Sequence, residues 1–163
     1  MRVLITGGAG FLGVRLARAL LERGHLMGHP LSGIVLSDFV APPADLLIDQ
    51  RVSARPGALL DQCGELSRDL FDAVFHLASA VSAECEADFD LGMRSNLDTT
   101  RAMLGALRGA GNSPRLIFAS SVAVFGGTPE LPLPSVVRDN TLPAPQSSYG
   151  IHKFICERSS VRQ

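Results

Sequence analysis

Met1-Arg-Val-Leu-Ile-Thr-Gly-Gly-Ala-Gly-Phe-Leu-Gly13 is the stretch on which the reading of this chain turns. Its apolar run from Val3 to Ile5 breaks into glycines and then into an amphipathic pattern, the signature of a strand, a tight turn and a helix start. Gly7, Gly10 and Gly13 fall three apart, and Gly8, Gly10 and Gly13 also satisfy the literal G-x-G-x-x-G spacing. Each glycine has a mechanical purpose. One permits the sharp turn, one lets a pyrophosphate approach bare backbone, and one lets the helix pack closely on its strand. The helix then offers free N–H groups and the positive end of its dipole to phosphates. Glycine spacing alone also fits a plain turn, but a strand before it and a helix after it supply the context of a dinucleotide site.

Outward from that stretch, the chain alternates strand and helix. Phe11 to Arg23 has Leu12, Leu16, Ala19 and Leu20 at helical spacing, with Gly24 as its stop. His25 to Ser32 reads as a longer connection. Its His25 and His29 are four apart, but Gly28 and Pro30 oppose a helix there and no third ligand is near, so no metal site is expected. Gly33 to Ser37 is a continuous apolar strand of the kind buried on both faces of a parallel sheet. Asp38 follows at its end, where a carboxylate accepts the hydroxyls of an unmodified ribose and repels a 2′-phosphate, which selects NAD over NADP. Arg51 to Arg55 is a third strand, Leu59 to Leu70 a helix, and Ala73 to Leu77 a fourth strand running into the small residues Ala78, Ser79 and Ala80. One long helical region, kinked near Gly92, is expected from Glu84 to Arg108. Arg115 to Ala119 makes a fifth strand, Gly126 to Gln146 a proline- and glycine-rich surface loop, and a last helix starts at Ser147.

These elements specify an α/β fold. It is a Rossmann-type doubly wound parallel sheet with strand order 3-2-1-4-5, whose ligands bind outside the carboxyl ends of the strands. The 163 residues suffice for one domain, a single NAD(P)-binding unit over 1–163. A hydrophobic content of 46% and a charged content of 19% are ordinary for a globular protein. A net charge of −1 gives no reason to expect nucleic acid or an anionic membrane as partner, and no apolar run reaches spanning length. The odd count of three cysteines, with no C-x-x-C spacing, suits reduced thiols, and no leader pattern precedes the glycine turn. Both point to the cytoplasm.

Tyr149-Gly-Ile-His-Lys153 carries the chemistry. On a helix, positions four apart share a face, so a phenol and an ammonium enter one site. A phenol is a poor base at neutral pH, and a neighbouring ammonium favours its phenolate, making proton exchange with a substrate hydroxyl feasible. Ser121, at the end of the fifth strand, is placed to hold the same oxygen. Tyr149 is the only tyrosine of the chain.

Taken in order, Thr6-Gly-Gly-Ala-Gly-Phe-Leu-Gly13, Phe75-His-Leu-Ala78, Asn96, Ser120-Ser-Val-Ala-Val-Phe-Gly126 and Tyr149-x-x-x-Lys153 resemble the extended short-chain dehydrogenase/reductases, the NAD-dependent epimerase/dehydratase family. The resemblance implies an enzyme with Ser121, Tyr149 and Lys153 as catalytic triad and Tyr149 as acid/base. Ser121 is implied over Ser120 because the second serine of the family pattern is the catalytic one. It gives Lys153 a contact to the nicotinamide ribose, Tyr149 a contact to the cofactor, and Asn96 the task of holding the active-site helix and a proton-relay water. Gly7, Gly10, Phe11, Leu12 and Gly13, with Leu77, Ala78 and Ser79, would line NAD.

Val81 to Arg94, the Val-Ala-Val-Phe-Gly126 run and Pro145-Gln-Ser-Ser-Tyr149 are most similar to members that oxidise the C2 hydroxyl of a four-carbon sugar acid. That similarity makes Ser82, Ser121 and Tyr149 substrate contacts. A nucleotide-sugar epimerase or dehydratase of the same family, and a short chain that binds NAD without turnover, are the competing readings.

Two departures from the family pattern stand out. Where relatives carry Gly-Asp-(Leu/Ile) after the third strand, with an Asp for the adenine amino group, this chain has Gly57-Ala-Leu59. Relatives are also about twice as long in the usual two-part layout, so later strands and a substrate-binding region are expected to be missing. That would leave the fifth strand as an open sheet edge, which a homodimer is one way of covering.

Overall fold

The computed structural model describes residues 1–130 and 132–160. In chain order its elements are β1 (Arg2–Thr6), α1 (Phe11–Arg23), β2 (His25–Leu26), β3 (His29–Pro30), β4 (Gly33–Asp38), β5 (Val52–Pro56), α2 (Leu59–Leu66) and β6 (Ala73–His76). There follow α3 (Ser82–Ala87), α4 (Phe89–Gly92), α5 (Thr99–Gly109), β7 (Arg115–Phe118) and α6 (Ser148–Ser160). Two compact units result, one of Met1–Ala78 with Ala102–Ala119, the other of Ser79–Arg101 with the described residues from Ser120 onward.

The first unit holds a five-stranded parallel sheet in the order β5-β4-β1-β6-β7, which is the expected 3-2-1-4-5. Alternation along each strand sends side chains to opposite faces. Val3, Ile5, Ile34, Leu36 and Ala73 therefore pack with Val14, Ala17 and Leu20 of α1. Leu4, Val35 and Val74 pack on the other face with Leu59, Cys63 and Leu66 of α2 and Met103, Leu104 and Leu107 of α5. Register agrees, since Leu4 lies beside Val35 on one side and Val74 on the other. Apolar burial on both faces is what keeps a parallel sheet together. Among the described residues β7 pairs with β6 alone, so it is an edge of this sheet.

Several boundaries differ from the sequence expectation for local reasons. The connection after α1 closes into a two-residue hairpin, β2 with β3, because Met27 (φ 54°) and Gly28 (φ 81°) both take the positive φ that a tight I′-like turn requires. The helix from Leu59 stops at Leu66, four residues early, and Ser67 caps it by donating to the Cys63 carbonyl. The long helix expected over Glu84 to Arg108 is broken. Asp88 leaves the helical region (φ −137°) and caps α4 through Leu91 N–H to its Oδ1 at 2.9 Å. A π-helical stretch then runs from Met93 to Asp98, one residue past the expected kink at Gly92. All three cysteines are free and buried.

Candidate active site

The glycine turn between β1 and α1 is built as its spacing requires. Gly7 sits at φ +69°, and a Cβ there would lie 2.9 Å from Ala78 N, so only glycine lets the turn close against the end of β6. At Gly13 a Cβ would fall 2.2 Å from the Gly7 carbonyl oxygen, so the bare backbone sets how closely α1 approaches β1. Gly10 is the N-cap residue of α1, with no side-chain cap and no acidic residue in the first turn. The first helical bond runs from Val14 N–H to Gly10 O. The N–H groups of Phe11, Leu12 and Gly13 consequently have no carbonyl of α1 to bond, and they sit at the positive end of its dipole. Phe11 and Leu12 are 75% and 61% exposed, so they contribute backbone here rather than core packing.

Asp38 closes β4, and its Oδ2 accepts the Ala9 N–H at 3.0 Å. One carboxylate oxygen is thus fixed to the glycine turn, and the carboxylate retains acceptor capacity for ribose hydroxyls. Leu77 and Ala78 are held by a residue the sequence reading did not single out. Thr6 Oγ1 accepts both of their N–H groups at 3.2 Å and lies 2.7 Å from His76 Nδ1. The donor set fits a dinucleotide: uncapped N–H groups for the diphosphate, a carboxylate for the adenosine ribose, and no Cβ where the turn must stay flat. NAD would be held here by the turn, by Asp38 and by the Leu77–Ala78 backbone.

The second unit carries Ser79, Ser82, Asn96, Ser121, Tyr149 and Lys153. Asn96 lies in the π-helical stretch, an irregularity frequent at functional sites. Its Oδ1 accepts from Ala80 N–H (2.9 Å) and Ser79 Oγ (3.0 Å). Its Nδ2 donates to Ala80 O (3.2 Å) and Cys85 Sγ (3.3 Å). Its carbonyl accepts from Cys156 Sγ at 3.4 Å, so Asn96 ties the Ser79–Ala80 segment and α6 to one helix. Ser82 opens α3 on the surface.

Ser121 caps a 3-10 turn, Val122–Val124, its Oγ accepting from Ala123 N–H at 3.1 Å. Against that turn packs the start of α6. A Cβ at Gly150 would stand 2.2 Å from the Ala123 carbonyl oxygen, so glycine directly after Tyr149 is what brings the Tyr149 turn to the Ser121 turn. The helix start is capped twice. Ser147 Oγ accepts from Gly150 N–H (3.1 Å), and Glu86 of α3 accepts from Ser148 Oγ (2.8 Å) and Tyr149 N–H (3.3 Å). These bonds, the Ser148 hydroxyl first, hold the Glu86 carboxyl below its ordinary range.

Lys153 Nζ lies 5.8 Å from the centroid of the Tyr149 ring, as positions four apart on a helix allow, and the lysine is only 4% exposed. Burial pushes its ammonium down from the usual value, while the Cys156 and Cys85 thiols act the other way. Burial also pushes both thiols up, which keeps them protonated and excludes them as nucleophiles. His152, between Tyr149 and Lys153 in sequence, is buried and its imidazole is pushed down by desolvation, with Glu86 opposing.

A glycine turn opening an uncapped helix, an acidic residue closing the next strand, and a Tyr-x-x-x-Lys helix docked on a serine turn occur here in one chain. Residues 3–162 match the NAD dependent epimerase/dehydratase family. The chain belongs to this family. It is an NAD-dependent enzyme family with a Rossmann-type fold. Among characterised relatives, D-erythronate dehydrogenase of Cupriavidus necator is 52% identical over 165 residues, covering 96% of this chain and 48% of that protein. A nucleoside-diphosphate-sugar epimerase from Agrobacterium tumefaciens superposes with a TM-score of 0.86 at 40% identity, over 97% of this chain and 47% of that one. MoeE5, solved with UDP-glucuronic acid and NAD, superposes with a TM-score of 0.78 at 30% identity, over 97% and 48%. The chain spans about half the length of the curated relatives it matches. Among the described residues, no helix is long and apolar enough to cross a membrane.

Proposed function

We propose that this chain carries the cofactor-binding and proton-transfer residues of a dehydrogenase acting on a secondary hydroxyl of a sugar acid, with the C2 hydroxyl of D-erythronate as the reacting group. The observation that carries this reading is the α6 pair: Tyr149 on a doubly capped first turn, with the buried Lys153 ammonium 5.8 Å from its ring. NAD, when bound, supplies the hydride acceptor. Tyr149 Oη takes the proton of the substrate hydroxyl as its carbon is oxidised to the ketone. Lys153 stabilises negative charge on the phenol oxygen, because a charge buried in low dielectric acts strongly over short distances. Ser121 Oγ holds the same hydroxyl and fixes its orientation, and Ser82 is assigned to the sugar-acid chain. Gly7, Gly10, Phe11, Leu12 and Gly13 bind the diphosphate, Asp38 the adenosine ribose, and Leu77, Ala78 and Ser79 the cofactor's flank.

The sugar-acid substrate is supported by the 52% identity to D-erythronate dehydrogenase. A second reading, nucleotide-sugar epimerase, is favoured by the Agrobacterium tumefaciens neighbour at 40% identity. A single pair of assays separates them. NADH formation with D-erythronate supports the first, and interconversion of a nucleotide sugar without net NADH supports the second. NAD binding with neither activity assigns the chain a cofactor-binding role alone, and no NAD binding rejects all three.

A further inference from the structure

The carboxyl ends of β1, β4 and β5 are joined by one run of hydrogen bonds. Gly8 N–H donates to Ser37 O at 3.1 Å, and Ala9 N–H to Asp38 Oδ2 at 3.0 Å. Gly57 N–H donates to Asp38 O at 2.8 Å. Gln62 of α2 closes the run from behind. Its Oε1 accepts the Ser37 hydroxyl at 2.7 Å, while its Nε2 donates to Arg55 O at 3.1 Å and Gly57 O at 3.0 Å. The amide orientation is fixed by chemistry, because two carbonyls can only accept and so must face the nitrogen. Ser37 is 1% exposed, so its hydroxyl has no water to replace this partner. Gly57 lies at φ +123°, a conformation with few intrinsic constraints, and Gln62 and Asp38 bond both of its backbone polar groups.

We propose that Gln62 is a positioning residue for the adenosine end of the cofactor site. Through Ser37 and Gly57 it fixes the backbone on either side of Asp38, and thereby the carboxylate that meets the ribose. Gln62 need not touch the cofactor to do this. The role bears directly on discrimination, since a displaced Asp38 loses its grip on free hydroxyls and its repulsion of a 2′-phosphate together. It rests on the reading that this chain binds NAD through Asp38.

The test is calorimetric titration of the full chain with NAD, NADP and ADP-ribose, comparing wild type with Gln62→Met, Gln62→Glu and the exposed control Glu65→Gln. Gln62→Glu keeps the size and the Ser37 contact but turns an oxygen toward two carbonyls. Both Gln62 variants should raise Kd for NAD and ADP-ribose about tenfold at unchanged site stoichiometry, with a smaller change for NADP. Glu65→Gln should match wild type. A purely structural role instead lowers the number of competent sites and leaves Kd unchanged, and that result overturns the proposal. Equal losses for NAD and NADP overturn it as well. If Gln62→Met does not fold, Gln62→Glu decides alone, and wild-type affinity in that variant refutes the role. A wild-type chain that binds no NAD refutes the cofactor reading and this proposal together, whereas wild-type binding with an indifferent Gln62→Glu refutes only the latter.

Discussion

Replacing Gly13 by alanine should injure stability and cofactor binding together. The new Cβ would stand 2.2 Å from the Gly7 carbonyl oxygen and 2.7 Å from Gly8 Cα, both backbone atoms with no rotamer to escape into. To reach even 3.0 Å, α1 or the turn must move by about 0.8 Å, an overpacking shift that costs roughly 1–3 kcal/mol. Alanine also gains about 1 kcal/mol of helix propensity over glycine, so the measured loss will understate the clash. The net loss is then at most about 2 kcal/mol, which corresponds to a fall of up to about 8 °C in Tm at this chain length. The turn that moves is the one that leaves the Phe11, Leu12 and Gly13 N–H groups free, so NAD affinity should fall at least about tenfold. Gly24→Ala is the comparison. There φ is +68° but no heavy atom lies within 4 Å of the added carbon, so roughly 1 kcal/mol of backbone strain is expected with NAD affinity intact. Thermal melts, urea titrations and calorimetric NAD titrations read these quantities. Wild-type Tm and wild-type Kd in Gly13→Ala would refute the close-approach argument.

Other perturbations address the remaining site residues. Asp38→Ala should weaken NAD more than NADP in parallel titrations, and equal loss for both would remove the ribose assignment. Tyr149→Phe should abolish NADH formation while leaving NAD affinity within about twofold, because a lost phenolic oxygen removes proton transfer and little binding. His152 is held below its ordinary value by burial, so between that lowered value and about 6.5 the unfolded chain binds a proton that the folded chain refuses. Stability should therefore fall as pH drops below about 6.5. His152→Gln should flatten that part of the urea-midpoint profile, and an unchanged slope counts against the buried neutral imidazole. Ala58 caps α2 with extended backbone and no side-chain acceptor, so Ala58→Ser should add about 1 kcal/mol in urea unfolding. No gain would mean that the α2 start is already satisfied.

Although β5 and the β2–β3 hairpin carry no apolar run, the order of strands in the sheet was legible because β1, β4, β6 and β7 do carry one and most crossovers have a helical period. The break at Asp88 and the π-helical stretch were not, since the apolar spacing continues through both and the irregularity comes from side-chain and backbone bonding. Gly7, Gly13, Asp38, Tyr149 and Lys153 could be read from local spacing. Thr6, Gln62 and Glu86 could not, because their partners lie from five to 72 residues away in sequence and leave no periodic trace. Gly150 did leave one. A glycine in the first turn of a helix costs about 1 kcal/mol against alanine, an unexplained expense that signals close approach.

The first turn of α6 has an optical consequence. The chain contains one tyrosine and no tryptophan, so with excitation at wavelengths that its eight phenylalanines do not absorb, its intrinsic ultraviolet emission originates at Tyr149. In most proteins several rings blur such a signal. Here brightness, quenching and anisotropy each describe a single ring, 5.8 Å from the Lys153 ammonium. A change in that emission on adding ligand is then a reading from the residue proposed to transfer the proton, available without a label and before any turnover is detected.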